Sequence, residues 1–453
     1  MRFEQAFEVV PGDVVAFIGA GGKTSLMVGL GYDLAEAGWR VLATTTTRLS
    51  TDQLDLFPCT MSSMAAPRKI SEALTEHQFV LLHDQIRGGH VYGPPVGWTR
   101  NLLDSVDSDI LLVEADDAAG KPFKAPRADE PQVPHETSLV ISVASLRALG
   151  LPLDNERIYN PAAMIQRYGF VENSPVKSPW LAQVLRDDQL GLRGVPASAR
   201  VIVFLNHTPE RGFMRGRARM IARLSLQSER INAVALGSVR GVEPVFELQR
   251  PVGALVLATG YSPCKDLDGI LRPAARGRAA LAHVAEKLLR SRIDHIRVVT
   301  GWRGAEARAA IRHLALKTVH DRARQNGGAV SALKAGLRAL PAHVSAALVV
   351  PGDQVRMQPR VIYHILAAYA RGEGDFIIPR YGARCGYPAL IGCRHWRELL
   401  KMPGHSDFRA IAQRFRDDIS FHDVDTDSIF HDINRLPLPG TPRRGFRVRD
   451  GET

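Results

Sequence analysis

The stretch VVAFIGAGGKTSLMVGLGYDLAEAG, residues 14–38, decides the fold of the first part of this 453-residue chain. Val14 to Ile18 form a short apolar run, which is typical of a buried parallel strand. After a glycine-rich turn, Leu26, Leu30 and Leu34 recur at the spacing of one helical face. The stretch therefore predicts a strand, a glycine loop and a helix, which together begin a P-loop-type α/β domain with a parallel sheet.

The loop GAGGKTS has the composition of a phosphate-binding loop. Glycines let successive backbone N–H groups face phosphate oxygens, and the helix N-terminus adds a partial positive charge. The common pattern GxxxxGK[ST] has glycine where this chain has Phe17, so the loop is a shortened variant, and a glycine turn without a ligand is the alternative. We expect nucleotide binding by Gly19, Gly21, Gly22, Lys23, Thr24 and Ser25, with Lys23 on the terminal phosphates and Thr24 on Mg²⁺.

Four threonines, Thr44 to Thr47, follow a second predicted strand, Trp39 to Ala43. Threonine is favoured in strands, so one interpretation is a strand edge without chemistry. Hydroxyls at the carboxyl end of a strand beside the loop strand are also where doubly wound sheets bind ligands. On that interpretation Thr45 and Thr46 are the candidate ligands.

A third strand, Ile110 to Val113, is followed by acidic residues. The two-residue period of a strand puts Glu114 and Asp116 on one side. There they could hold the water shell of Mg²⁺ or activate a water, and an acidic turn is the alternative. We predict Lys23, Glu114 and Asp116 as catalytic residues and Thr24 and Asp116 as metal ligands.

The segment after these acids is basic and rich in proline. Lys121, Lys124 and Arg127 are interleaved with prolines, so the loop should be stiff. We expect it to meet an anionic substrate or a partner.

Composition and charge limit the classes of function that this chain can have. The formal net charge of +11 comes from arginines scattered along the chain, which favours a solvated surface over a nucleic-acid interface. Four cysteines without a CxxC pair are typical of a reduced cytoplasmic protein. No apolar run approaches the roughly 20 residues that cross a bilayer. We expect a cytoplasmic protein that binds neither nucleic acid nor membrane.

The motifs GAGGKTSLM, VLATTTTRL, VEADDAAGKPFKAP and DEPQVP, in this order, resemble the YqeC family. The resemblance reaches about residue 240 and includes Asn206 in VIVFLNHTPE. It implies nucleotide binding and a link to the maturation of selenium-dependent molybdenum hydroxylases. One departure is Asp117, where the family has glycine. A guanine-reading NKxD loop is not matched, since His207 and Pro209 replace its lysine and aspartate, so ATP is the default nucleotide.

The second half begins with VLATGYSPCKDLDGILRP, residues 256–273, and resembles MobA-like nucleotidyltransferases with a Rossmann-like fold. In that family an arginine and a lysine of the loop grip the triphosphate, and here Cys264 and Gly269 stand in their places. Each lost charge-assisted contact should cost about 1.5–3 kcal/mol. The positions of Gly260 and Ser262 are retained, so a degenerate scaffold and an active transferase both stay open, with Lys265 and Arg272 as replacement cations.

Further positions of the second half match the same family. The resemblance implies base reading by Ser331 and Mg²⁺ binding by Asp353 and Asp432. Tyr387 stands where the family usually has histidine, in a loop near the acceptor.

The sequence thus predicts a YqeC-like domain over residues 1–245, a MobA-like domain over 252–438 and a basic disordered tail over 439–453. The leading hypothesis is a maturation factor that binds ATP and Mg²⁺ and serves a molybdenum hydroxylase client, possessing hydrolase or phosphoryl-transfer chemistry in its first domain. The alternatives are a molybdenum cofactor cytidylyltransferase, which joins CTP to molybdopterin, and a non-catalytic adaptor that binds the cofactor.

Overall fold

The computed structural model describes residues 1–259, 268–274, 277–291, 293–301, 304–322 and 329–430. The chain divides into two compact units, Met1–Arg250 and a second that begins at Pro251. The first unit runs past residue 245 because a last strand, Val245–Gln249, pairs with its sheet. No helix within the described ranges is long and apolar enough to cross a membrane.

The first unit alternates strands and helices. Its strands are β1 Val14–Gly19, β2 Val41–Thr45, β3 Arg48–Ser50, β4 Cys59–Ser62, β5 Phe79–His83, β6 Gln85–Arg87, β7 His90–Tyr92, β8 Ile110–Glu114, β9 Leu139–Ser145, β10 Arg200–Asn206, β11 Ala233–Gly237 and β12 Val245–Gln249. Its helices are α1 Phe3–Phe7, α2 Lys23–Glu36, α3 Pro67–His77, α4 Thr99–Ser105, α5 Pro161–Tyr168, α6 Ser178–Leu185 and α7 Phe213–Ser225.

Nine of these strands form one sheet in the order β12-β11-β10-β9-β1-β8-β2-β5-β4. All neighbours are parallel except β11 and β12. The strands β3, β7 and β6 form a small antiparallel sheet of their own. The central strand β1 therefore has β8 on one side and β9 on the other, and the carboxyl ends of all three reach the same edge, where such sheets bind ligands.

Strand β1 is buried on both faces of the sheet. Val15 and Phe17 belong to the core that α1 and α2 cover, whereas the alternating residues of β1 belong to the core on the opposite face. The predicted apolar face of α2 is confirmed, since Leu26, Leu30 and Leu34 are fully buried in the same core as Phe17. This packing fixes the start of α2 directly above the end of β1.

The second unit is also mixed α/β. Its strands are β13 Val252–Ala258, β14 His295–Thr300, β15 Lys317–His320, β16 Ala346–Pro351, β17 Phe376–Tyr381, β18 Arg384–Cys385, β19 Ala389–Gly392 and β20 Ile419–Asp423. Its described helices are α8 Asp268–Leu271, α9 Ala280–Arg290, α10 Gly304–Ile311, α11 Ala329–Arg338, α12 Pro359–Ala370, α13 Trp396–Leu399 and α14 Phe408–Arg414.

The second sheet has the order β15-β14-β13-β16-β19-β17-β18, with β20 parallel to β17. Its first four strands are parallel, as expected for a Rossmann-like unit. Strand β19, however, runs antiparallel to both β16 and β17, and β18 is antiparallel to β17. A short turn returns the chain from β17 antiparallel into β18, and β19 continues in the direction of β18, so this sheet is mixed rather than largely parallel.

Candidate functional site

The loop between β1 and α2 needs glycine at three positions. Gly19, Gly21 and Gly22 have φ angles of +87°, +89° and +123°, in the region that glycine favours. A Cβ atom at Gly21 would lie 2.5 Å from the Cβ of Ser145, and one at Gly22 would lie 2.4 Å from Nδ2 of Asn206. The loop therefore packs directly on the ends of β9 and β10.

The backbone amides of residues 21–25 are unused. No described residue accepts a hydrogen bond from any of them, whereas the next amide, that of Leu26, donates to the carbonyl oxygen of Gly22 at 3.0 Å. These five residues span the positive-φ turn and the first turn of α2, which starts at Lys23. A run of free N–H groups at a helix N-terminus, with glycines that let the backbone approach, is an anion-binding arrangement.

Lys23, Thr24 and Glu114 form a buried polar group at the base of this loop. The Thr24 hydroxyl donates to Oε2 of Glu114 at 2.7 Å, and Nζ of Lys23 lies 3.7 Å from Oε1 of the same carboxylate. Burial raises the pKa of Glu114, against the opposing effects of the Lys23 charge and the Thr24 hydrogen bond. The group contains the cation, the hydroxyl and the carboxylate that the sequence predicts for a site handling phosphate and Mg²⁺.

The carboxylate of Asp116 is engaged on both oxygens. Oδ2 accepts the amide of Gly19 at 2.9 Å, and Oδ1 accepts the ammonium of Lys124 at 2.5 Å. Burial raises the pKa of Asp116, and the charges of Lys124 and Lys23 oppose that effect. Asp116 thus ties the loop 115–132 to the start of the glycine loop.

Lys124 is an internal residue. Its ammonium is buried among Asp116, the carbonyl oxygen of Asp117 at 2.5 Å and Glu130 at 2.8 Å, and it lies over the ring of Tyr159. The proline-rich basic segment predicts this lysine in a loop that meets an anionic substrate or a partner. Instead it holds the loop together, because a buried cation is stable only when carboxylates and other acceptors surround it.

The threonines after β2 donate to backbone carbonyls. Thr44 donates to Leu82 at 2.9 Å, Thr45 to Glu114 at 2.9 Å and Thr46 to Gln132 at 2.7 Å. Thr45 is buried, and its hydroxyl also accepts the amide of Thr47 at 3.1 Å. The two candidate ligands, Thr45 and Thr46, therefore join β2 to the end of β8 and to the loop 115–132.

In the second unit, two predicted site residues lie within the described ranges. The Ser331 hydroxyl donates to Oδ1 of Asp321 at 2.9 Å, and its amide donates to the carbonyl of Gly404 at 3.2 Å. Asp353 is buried in the turn after β16. It is close enough to Tyr387 for its charge to add to burial in raising the pKa of that phenol. Gly260, Ser262 and Asp432 lie outside the described residues.

Family models match the two halves separately. Residues 15–162 match the YqeC protein family, and residues 254–419 match the MobA-like NTP transferase domain. The chain carries a YqeC domain followed by a MobA-like NTP transferase domain. Both resemblances expected from the motifs are thereby confirmed.

Three relatives illustrate the similarity. The uncharacterized protein YqeC of Escherichia coli (strain K12) is 26% identical over 229 residues, which are 50% of this chain and 88% of that protein. The Rv0371c complex with manganese from Mycobacterium tuberculosis is 16% identical, with a TM-score of 0.33 over 39% of this chain and 89% of that one. Molybdopterin-guanine dinucleotide biosynthesis protein A from Archaeoglobus fulgidus is 18% identical, with a TM-score of 0.29 over 38% and 84%.

The YqeC domain departs from the family motif at Asp117, and the structure shows what this residue contacts. Its Oδ2 accepts a hydrogen bond from Nε of Arg48 at 2.9 Å, and its Oδ1 accepts one from the amide of Ala119 at 2.8 Å. Burial alone would raise the pKa of Asp117, but the Ala119 hydrogen bond and the Arg48 guanidinium together lower it. The added carboxylate joins β3 to the loop 115–132.

Two residues that lie beside the glycine loop, Ser145 and Asn206, were not predicted as site residues, although Asn206 is part of the resemblance. Ser145 ends β9, and its hydroxyl oxygen lies 2.8 Å from Nδ1 of His207, which follows β10. Asn206 donates through Nδ2 to the carbonyl of Gly21 at 2.8 Å. The signal in the sequence was that Ser145 and Asn206 each end a largely apolar strand.

Proposed function

We propose that the YqeC domain binds a nucleoside triphosphate, by default ATP, together with Mg²⁺, and that the protein acts in molybdenum cofactor biosynthesis or insertion. The main support for nucleotide binding is the run of free backbone amides at residues 21–25, next to the buried side chains of Lys23 and Thr24. An anion with several oxygens would satisfy these donors together. The nucleotide-binding residues of this proposal are Gly19, Gly21, Gly22, Lys23, Thr24 and Ser25.

The donors present fit Mg²⁺. Among the described residues, no group of three or more His, Cys, Asp or Glu side chains is arranged to hold a metal ion. Mg²⁺ in nucleotide sites usually takes one or two protein oxygens, substrate phosphates and waters. The Thr24 hydroxyl, whose proton goes to Glu114, keeps lone pairs for such an ion, and Glu114 would hold its waters. When bound, the ion would neutralise charge on the phosphates.

The chain's own residues would act by position and charge. Lys23 would neutralise the terminal phosphates, and the buried Glu114 would orient Thr24 and a water at the end of β8. Asp116, whose oxygens bind the Gly19 amide and Lys124, would set the position of the loop. We propose nucleotide hydrolysis or phosphoryl transfer as the reaction class.

Calorimetric titration of the full-length protein with ATP and Mg²⁺ tests this proposal. We expect the Lys23→Ala variant to lose binding by about a hundredfold or more, since two charge-assisted contacts of about 1.5–3 kcal/mol each are removed. Lys69→Ala is the matched control, because Lys69 is exposed on α3 of the same domain. Equal ATP affinity in Lys23→Ala and the control would refute the proposed site.

A second candidate function is cytidylyl transfer by the MobA-like domain. It is supported by the family match over residues 254–419 and by the buried Asp353 at the carboxyl end of β16. In this reaction the molybdopterin phosphate would attack the α-phosphate of CTP and release pyrophosphate. Ser331, with Gly260 and Ser262, would contact the nucleotide, and Asp353 with Asp432 would hold the metal.

Pyrophosphate release by the full-length protein, with CTP, molybdopterin and Mg²⁺, separates the two candidates. An active transferase should release pyrophosphate, lose it in Asp353→Asn and keep it in Asp417→Asn, an exposed carboxylate of the same unit. A scaffold domain should release none. ATP binding without any turnover, and client maturation that survives Lys23→Ala, would instead favour an adaptor that serves a cytoplasmic molybdenum hydroxylase.

A further inference from the structure

The strand ends beyond β1 carry a set of side chains that the proposed phosphate chemistry does not use. β9 and β10 lie on the side of β1 opposite β8, and they end at Ser145 and Asn206. The glycine loop packs against these two residues, since a Cβ at Gly21 or Gly22 would overlap with them. Anything bound on the loop would therefore adjoin the ends of β9 and β10.

Ser145 fixes the imidazole of His207. The serine hydroxyl lies 2.8 Å from Nδ1 and also accepts the amide of Arg147 at 3.1 Å. His207 has a φ of +57°, an unusual value for a residue other than glycine, and its amide donates to Oδ1 of Asn206 at 2.8 Å. Ring and backbone are both held, so Nε2 is the nitrogen left for a ligand.

Two arginines flank this histidine. Arg147 follows Ser145 by two residues, and Arg240 follows Val239, whose amide donates to Oδ1 of Asn206 at 3.2 Å. Both arginines are exposed, and no described residue forms an ion pair or hydrogen bond with either guanidinium. Burial, and then the charges of Arg147 and Arg240, lower the pKa of His207, which favours the neutral form of the imidazole.

The loop 115–132 covers the β8 side of the glycine loop, where Lys124 binds Asp116 and Thr46 donates to the carbonyl of Gln132. The same loop reaches the end of β9, where the carbonyl of Pro122 accepts the amide of Ser145 at 3.0 Å. A triphosphate with its terminal phosphates at Lys23 and Thr24 would thus find polar side chains already paired beyond β8. Beyond β9 and β10 it would find two exposed side chains, those of Arg147 and Arg240.

We propose that Arg147, His207 and Arg240 form the nucleoside end of the site, with Ser145 as the residue that positions His207. This inference rests on the proposed nucleotide binding. A guanidinium plane stacks on an aromatic base, and a neutral imidazole offers one donor or acceptor to the base or the ribose. These residues then select nucleoside triphosphates over bare polyphosphate.

Calorimetry with two ligands, ATP and inorganic tripolyphosphate, each with Mg²⁺, tests the assignment on the full-length protein. We expect the double variant Arg147→Gln and Arg240→Gln to weaken ATP binding by about tenfold, while tripolyphosphate affinity changes by less than about twofold. His207→Ala should behave in the same way. Arg68→Gln is the matched control, because Arg68 is an exposed arginine on α3 of the same domain.

Arg147 and Arg240 are exposed, so their replacement should not impair folding. Thermal unfolding of each variant, including His207→Ala, checks that the protein is still folded. Equal losses for both ligands would mean a general anion cradle and would overturn the inference. Unchanged ATP affinity in the arginine double variant would overturn it as well. If the wild-type protein bound neither ligand, the proposed nucleotide binding itself would fail, whereas tripolyphosphate binding as tight as ATP binding would refute the nucleoside subsite alone.

Discussion

The Thr24 hydroxyl donates a 2.7 Å hydrogen bond to Glu114, a residue 90 positions away in the sequence. The bond exists because β1 and β8 are parallel neighbours, which brings the start of α2 to the end of β8. Lys23 meets the same carboxylate. The hydrogen bond links the glycine loop to the acidic residue at the end of β8. Substitution of Thr24 therefore tests the role of its hydroxyl.

Replacing Thr24 by alanine should remove most of the gain in ATP affinity that Mg²⁺ provides, because a ligand oxygen is lost. Thr24→Ser keeps the hydroxyl and should stay within about threefold of the wild type. Calorimetric titrations with and without Mg²⁺ measure the difference. If the alanine and serine variants show the same Mg²⁺ dependence, the hydroxyl is not a ligand.

Gly22→Ala should abolish nucleotide binding and lower stability. The new Cβ would lie 2.4 Å from Nδ2 of Asn206, and φ is +123°. Gly38→Ala is the matched control, since Gly38 also has a positive φ, +87°, but nothing lies within 4 Å of its Cβ position. Both variants should lose about 1 kcal/mol from backbone strain. Only Gly22→Ala should lose ATP binding, and a similar loss in Gly38→Ala would contradict this explanation.

Lys124→Met should destabilise the YqeC domain by about 3–5 kcal/mol, because Asp116 and Glu130 would lose the buried cation between them. Urea unfolding followed by circular dichroism measures the change. The exposed Lys69 supplies the control, and Lys69→Met should change stability by less than about 0.5 kcal/mol. A small effect in Lys124→Met would show that the loop is held mainly by other contacts.

The Arg48–Asp117 pair should give a pH-dependent contribution to stability. The pKa of Asp117 is lower in the folded protein than in the unfolded chain, so its contribution is present above the unfolded value and is lost as pH falls through the folded value. Asp117→Asn should therefore cost about 0.5–1 kcal/mol at pH 7 and progressively less below pH 4, the usual carboxyl range.

Urea midpoints of the wild type and Asp117→Asn at pH 7 and pH 3 measure this trend. Asp104→Asn, a change at an exposed carboxylate of the same domain, is the control and should show no comparable loss. A stability difference that stays the same at both pH values would assign the effect of Asp117→Asn to packing rather than charge.

The local sequence pattern was sufficient to predict the strands and the helix that form the site in the first unit. The predicted strand Val14 to Ile18 is β1, the predicted leucine face is the buried face of α2, and Ile110 to Val113 lie in β8. Apolar runs, glycine and helical spacing act within a few residues, so one sequence states them directly. The second sheet was only half predictable, because the pairing of β19 depends on strand order, which local pattern does not encode.

The sequence by itself determined that a glycine loop with Lys23 and Thr24 would stand between a buried strand and a helix. Only the tertiary structure decided that Lys124 is internal and that Ser145 holds His207 beside Gly21. Those contacts join residues from different strands, and the sheet order places β9 beside β1 and β10 beside β9, although both follow β1 distantly in the chain. Burial then separates the roles of Lys124 and the two arginines, because Lys124 is enclosed by Asp116 and Glu130 and stabilises the loop, whereas Arg147 and Arg240 are exposed.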